Sequence, residues 1–155
     1  ADLGDPGWLD ALREGGFDAV VSATALHWLA EPVLRRVYRD LHGLVRPGGV
    51  VANADEMAPD DLPVLSRALG ALARCRCAAL RADGRPDWDT WWDVAAADPA
   101  LAGPVAERRR FFGGDHADEF APPAGWHVSA LAGAGFSEAG VAWRSGGGAV
   151  VAAVR

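Results

Sequence analysis

Between Phe17 and Asp55 the chain reads FDAVVSATALHWLAEPVLRRVYRDLHGLVRPGGVVANAD, and its apolar spacing changes twice along that run. Residues 17–23 form a short, Val-rich apolar segment preceded by Gly15-Gly16, too short for a helix and suited to a buried strand. From Pro32 onward, Val33, Leu34, Val37, Tyr38, Leu41, Leu44 and Val45 recur at three and four residues, with Arg35, Arg36, Arg39 and Asp40 opposite. Pro32 suits a first helical position, Glu31 the positive end of the helix dipole and Arg46 its negative end. Pro47-Gly48-Gly49 should stop the helix, and residues 50–54 should form a second strand. The whole predicts one parallel βαβ unit with a right-handed crossover. In open sheets of this kind ligands sit beyond the carboxyl ends of the strands, which puts Ser22 to Trp28 and Asn53 to Met57 at a site.

That run, abridged as FDAVVSATALHWL followed by L, Y, DL and LVRPGGVV-x-NADE, resembles the fourth strand, fourth helix and fifth strand of class I S-adenosylmethionine-dependent methyltransferases. Its nearest likeness is to small-molecule enzymes of the trans-aconitate methyltransferase kind. The ending HVSALAGAGFSEAGVAWR and AVVAAVR is similar to the last helix and final strand hairpin of the same family, so the resemblance covers well over half of the chain. It implies an α/β fold: a partial Rossmann-like methyltransferase sheet, with parallel strands, a carboxyl-terminal antiparallel hairpin and a helical insertion. It implies S-adenosylmethionine as cofactor and a small-molecule methyl acceptor as partner. In the family an acid followed by an apolar residue, after the third strand, meets the adenine; Asp2 and Leu3 match that place, the other reading of Asp2 being a solvated terminal residue. Ser22, Ala23 and Thr24 match the end of the fourth strand, whose backbone borders the methionine part of the cofactor, and His27 matches a position facing the acceptor. The family's first strand, glycine-rich turn, second-strand acid and their helices have no counterpart, which amounts to roughly 60–90 residues at about 30 per βαβ unit. The expectation is therefore the carboxyl-terminal portion of a methyltransferase. The open flank of the fourth strand, which in the family pairs with the first, invites self-association.

The totals agree with a soluble globular domain. The chain has 155 residues, half of them apolar, with a net charge of −6. It contains no Lys, Ile or Gln, a bias that fits a GC-rich genome. An acidic chain without a basic stripe argues against nucleic acid. No apolar run reaches the roughly 20 residues that span a bilayer, and no secretory signal opens the sequence. A cytoplasmic protein with reduced thiols is expected: Cys75 and Cys77, two apart on a helical stretch, face different ways, and a zinc site lacks further ligands at suitable spacing.

The chain reads as one domain, 1–155, with a helical lid insertion at about 58–120. Residues 4–16 suggest a loop and short helix burying Trp8, Leu9 and Leu12. Leu62, Leu65, Leu69, Leu72 and Leu80 lie at mostly helical spacing; Asp87 should cap a second helix bearing Trp88, Trp91, Trp92 and Ala95, and Asp98-Pro99 a third. Near the end, Trp126, Ala130, Leu131 and Ala134 mark a helix that Gly135 caps, followed by a strand through Ala139, Val141 and Trp143, a glycine turn and a buried strand over 149–154.

Methyl transfer from a sulfonium is an in-line displacement, so the protein must chiefly hold donor and acceptor together and exclude water. A base helps when the acceptor is a hydroxyl and is unnecessary for a carboxylate. His27 is the candidate base, its plainer reading being a brace of the turn. Trp28, Asp55, Trp91 and His127 are candidate acceptor contacts. Against this, Trp28 reads also as packing, Asp55-Glu56 as a solvated pair, and the Trp88/Trp91/Trp92 stripe as a helix packed on the core rather than a cation–π wall. Asp115 to Glu119, with His116, reads as a polar loop, His42 as solvated, and no metal is expected. A non-catalytic domain acting in protein–protein association, and a nicotinamide-dependent dehydrogenase, are the competing assignments; the Ala-Leu-His-Trp turn disfavours the latter.

Overall fold

The computed structural model describes residues 2–12, 15–58, 62–112 and 120–155. The chain divides into two compact units, Ala1–Leu69 with Asp118–Arg155, and Gly70–Ala117.

Among its described residues the first unit holds a four-stranded sheet and two helices packed on it, besides two short 3-10 helices and the start of a helix shared with the second unit. Strand β1 is Phe17–Ala23, helix α1 Glu31–Leu44 and strand β2 Val45–Glu56, with β1 and β2 parallel. After helix α5, Ala124–Gly133, come strands β3, Glu138–Ser145, and β4, Gly148–Val154. The sheet order is β1-β2-β4-β3, with β4 antiparallel to both neighbours. The partial methyltransferase-type sheet is thus the one expected.

The second strand is longer than the expected 50–54. Helix α1 stops at Leu44, and Arg46, Pro47, Gly48 and Gly49 are part of β2 rather than a turn before it. The register moves from Phe17 opposite Val45 to Ala19 opposite Val50, so the extra residues bulge out of the ladder. Arg46, expected at the helix end, instead pairs with Asp18 at 2.6 Å. Gly49 is required there. A Cβ on it would lie 2.8 Å from the Arg46 carbonyl oxygen and 3.0 Å from that of Phe17.

Alternation in the strands sorts residues onto two faces. Val51, Asn53 and Asp55 of β2 share one with Ala149, Val151 and Ala153 of β4. Against it α1 buries Leu34, Val37, Tyr38 and Leu41, a stripe at three- and four-residue spacing, and α5 buries Ala124, His127, Ala130 and Leu131. Trp8 joins this core and donates to Asp40 Oδ2 at 2.9 Å, while Leu12, expected inside, is exposed. His42, expected in solvent, is half-buried, its ring edge-on to Phe136 at 5.2 Å. On the other face Val21 is 78% and Trp143 58% exposed. Among the described residues β1 is an edge strand. The closing hairpin turns through Gly146 at φ +59°, which a type II′ turn demands of its first residue.

Helix α2, Pro63–Ala82, runs from the first unit into the second and buries none of its residues. In the second unit, α3 is Trp88–Ala97, capped by Asp87, which accepts from Thr90 N at 2.9 Å, and α4 is Ala102–Phe112. Trp88 and Trp91 stack with centroids 6.1 Å apart, and the Arg108 guanidinium lies 4.0 Å over Trp92. Cys75 and Cys77 are exposed and unbridged. No helix among the described residues is long and apolar enough to cross a membrane.

Candidate active site

Three local devices build the site at the carboxyl ends of β1 and β2. After Ala23 the chain turns sharply through Thr24, at φ +49°. A β-branched residue in the left-handed region is strained, and it is held there by its N–H donating to the Ala54 carbonyl at 2.9 Å. The turn feeds a short 3-10 helix, Leu26–Trp28, whose buried Leu26 anchors it in the core. His27 lies between that anchor and Trp28, and its carbonyl accepts from Phe120 N at 2.9 Å.

The third device is the phase of β2. Because side chains alternate, Asp55 points to the same buried side as Val51 and Asn53. Its carboxylate, 4% exposed, receives His27 Nδ1 at 2.9 Å to Oδ1 and 3.1 Å to Oδ2. Oδ1 also accepts from Glu56 N at 2.9 Å. A carboxylate only accepts, so Nδ1 carries a proton, and the tautomer this contact selects has its lone pair on Nε2. The His27 side chain retains 21% of its exposure, against the nearly sealed acid. A histidine so oriented by a buried carboxylate has the arrangement of a general base and its orienting group.

Behind Asp55 lies a second polar group. Tyr38 of α1 and His127 of α5 meet at 2.7 Å, hydroxyl to Nδ1, in the buried core. Burial pushes the Tyr38 hydroxyl's pKa well above the usual tyrosine value; Asn53 tempers that rise and the charge of Asp55 adds to it. Burial pulls the His127 pKa below its usual value, opposed by the charge of Asp55. Asn53 is wholly buried, yet neither polar atom of its amide completes a hydrogen bond of proper geometry among the described residues. Leaving such groups unsatisfied costs about 1–3 kcal/mol each.

The sequence-expected residues thus divide. His27 and Asp55 are brought together. His127 sits in the core next to Tyr38, and Trp28 is half-buried, its ring tilted against His27 at 5.0 Å. Ser22 is half-buried, and Ala23 and Thr24 are exposed at the end of β1. Asp2 is exposed, its Oδ1 accepting from Gly4 N at 2.8 Å, while Arg36 Nη2 donates to the carbonyls of Leu3 at 2.6 Å and Gly4 at 3.1 Å. Trp91 belongs to the second unit and is not among the side chains the first unit gathers. The Asp115–Glu119 segment lies outside the described residues. The sequence reading had Tyr38 only as a member of the apolar stripe and Asn53 only as the start of the Asn53 to Met57 segment, not as polar groups behind Asp55. Both carried a signal: a tyrosine in a helix's apolar stripe, and an amide in phase with buried Val51, each needing a polar neighbour inside.

Residues 4–53 match the family profile described as a methyltransferase domain, which takes in β1, α1 and most of β2. No curated protein matches the chain. Among solved structures it is similar to an O-methyltransferase family protein from Burkholderia thailandensis, with 18% identity and a TM-score of 0.54 over 100% of this chain and 34% of that one. It is similar to the S-adenosylmethionine-dependent methyltransferase SibL, with 18% identity and a TM-score of 0.56 over 100% and 34%. It is also similar to human N-acetylserotonin methyltransferase in complex with S-adenosylmethionine, with 11% identity and a TM-score of 0.54 over 100% and 32%. At these identities the shared property is the fold, and the chain spans about a third of the length of each. The profile match covers about a third of the chain, and over the whole of it the fold is the one seen in these methyltransferase structures.

Proposed function

We propose that these residues form the acceptor side of a methyltransferase acting on a hydroxyl of a small molecule, with His27 as the general base and Asp55 orienting it. The contact of His27 Nδ1 with the buried Asp55 carboxylate, 2.9 Å, carries the reading. Such a pair would be idle with a carboxylate acceptor, which favours a hydroxyl over the acceptor type of trans-aconitate methyltransferases. S-adenosylmethionine supplies the activated methyl group. As the methyl–sulfur bond broke, with its electron pair returning to sulfur in the departing S-adenosylhomocysteine, the acceptor's hydroxyl oxygen would take the methyl, His27 Nε2 would take the hydroxyl proton, and Asp55 would face the resulting imidazolium. Trp28 walls the side of the base.

The residues present suit one flank of the cofactor. The exposed backbone at Ala23 and Thr24 leaves the end of β1 open to close approach, and the exposed Asp2 lies in a loop that Arg36 anchors. No described strand leads into a glycine-rich turn and helix that would cradle the donor's other groups. The chain spans about a third of the length of the solved structures it resembles, so the activity proposed is that of a catalytic unit to which these residues contribute one flank. Calorimetry on the 155 residues alone should show S-adenosylmethionine binding weaker than micromolar.

The test of the base is His27→Gln in the complete enzyme. Turnover of hydroxyl acceptors should fall roughly a hundred- to ten-thousand-fold with little change in KM. Unchanged turnover would remove His27 from the chemistry. A second reading, favoured by the 78% exposure of Val21 on the edge strand, is a domain that associates with another chain through the β1 flank.

A further inference from the structure

Asp55 is usually viewed from the side of His27; its other flank is also built of polar groups. On β2, Asn53 shares its face two residues earlier, a sheet spacing of about 7 Å. Across the core stand Tyr38 from α1 and His127 from α5, joined at 2.7 Å. Three elements of the first unit thus each spend a buried position on a polar side chain, within an otherwise apolar cluster of Leu34, Val37, Leu131 and Val151. Val at 53, Phe at 38 and Leu at 127 would fill such positions with no polar atom to satisfy. The Asn53 amide completes no hydrogen bond of proper geometry among the described residues, yet it interacts with the Tyr38 hydroxyl strongly enough to oppose the rise in that group's pKa. A polar cluster retained beside a carboxylate that faces a half-exposed histidine acts on that carboxylate.

Resting on the reading of His27 and Asp55 as base and orienting acid, we propose that Tyr38, His127 and Asn53 are positioning residues that hold the Asp55 carboxylate in the rotamer that receives His27 Nδ1. The mechanism is steric and dipolar. Asp55 Oδ1 is pinned on one side by Glu56 N and His27 Nδ1. On the other side lie the Asn53 amide, on the same face of β2, and the Tyr38 hydroxyl, which feels the Asp55 charge and is held 2.7 Å from His127 Nδ1; in the proposed role these two oppose a swing of the carboxylate into the core. His127, buried and biased to its neutral form, adds no competing positive charge that would draw the carboxylate away from His27. The charged and titratable groups around Asp55 are thus His27 from the 3-10 helix, Tyr38 from α1, His127 from α5 and Glu56 on β2 itself.

The test uses nitrogen NMR of the imidazoles in the 155-residue chain, where four histidines allow each ring to be assigned by its loss on substitution. In the unaltered chain His27 should show a protonated, hydrogen-bonded Nδ1 and an unprotonated Nε2, and Asp55→Asn should abolish that pattern. If the pattern is absent from the unaltered chain, the base-and-acid reading fails. If it is present, Tyr38→Phe, which keeps the ring and the packing, should convert His27 to a mixture of the two tautomers, and His127→Gln should do the same. In the complete enzyme Tyr38→Phe should lower kcat about tenfold with KM unchanged. His27 signals in both variants that superimpose on those of the unaltered chain would overturn the positioning role while leaving the base in place. Circular dichroism of each variant checks that the fold is kept, and Asn53→Ser serves as a third variant should either fail that check.

Discussion

Two glycines six residues apart, Gly43 and Gly49, show how differently one residue type is used in this chain. Gly43 lies exposed inside α1, where an added Cβ meets nothing within 4 Å. Gly43→Ala should stabilise the protein by about 0.5–1 kcal/mol through helix propensity. Gly49 has backbone oxygens at 2.8 and 3.0 Å from where a Cβ would stand, and backbone cannot rotate aside as a side chain does. Gly49→Ala should cost about 1–3 kcal/mol, and urea denaturation of the two variants would display the opposite signs. His127 makes a residue-scale prediction in pH. Its folded pKa lies below the unfolded value of 6.5, so the unfolded chain binds the extra proton. Its contribution to stability is present above pH 6.5 and is lost as pH falls below it toward the depressed folded value. His127→Gln should flatten the dependence of the urea midpoint over that window, and an unaltered slope would contradict the buried neutral ring.

At the scale of elements, the turn between β1 and α1 decides whether the site exists. Thr24 adopts φ +49° and is tied to β2 through the Ala54 carbonyl. Thr24→Gly should relieve roughly 1 kcal/mol of left-handed strain, raise the melting temperature and leave His27 facing Asp55. A lowered melting temperature would show that the threonine side chain holds the turn. The βαβ unit itself was legible because its spacing changes from two to three-and-four and back, and pairing follows from that. The Pro47-Gly48-Gly49 step was misjudged for a physical reason: such residues end a helix, but a strand tolerates them when they bulge outside the ladder. His42 was misplaced similarly, since the helix pattern ranks it with arginines while Phe136, remote in sequence, supplies the ring that half-covers it.

Within the first unit, helices cover one face of the sheet, and on the other face described residues stand exposed. Helices α1 and α5 lie on the side of Val51 and Val151, while Val21 and Trp143 remain in solvent on the opposite side. Open apolar edges of this kind recruit further strands. Sedimentation of the 155 residues should show concentration-dependent association that Val21→Lys diminishes, and a monomer at every concentration would set aside a role for that flank.

Read alone, the sequence determined the strand–helix–strand unit, the closing hairpin, the cap at Asp87 and the segments that end at the site. All of these depend on periodicity and on turn residues, which are local. The pairing of His27 with Asp55, and of Tyr38 with His127, was decided only by tertiary structure. Those partners lie 28 and 89 residues apart; the first pair meets through the pairing of β1 with β2 and the turn after β1, the second through the packing of α1 and α5 over the sheet, and no local pattern encodes either contact.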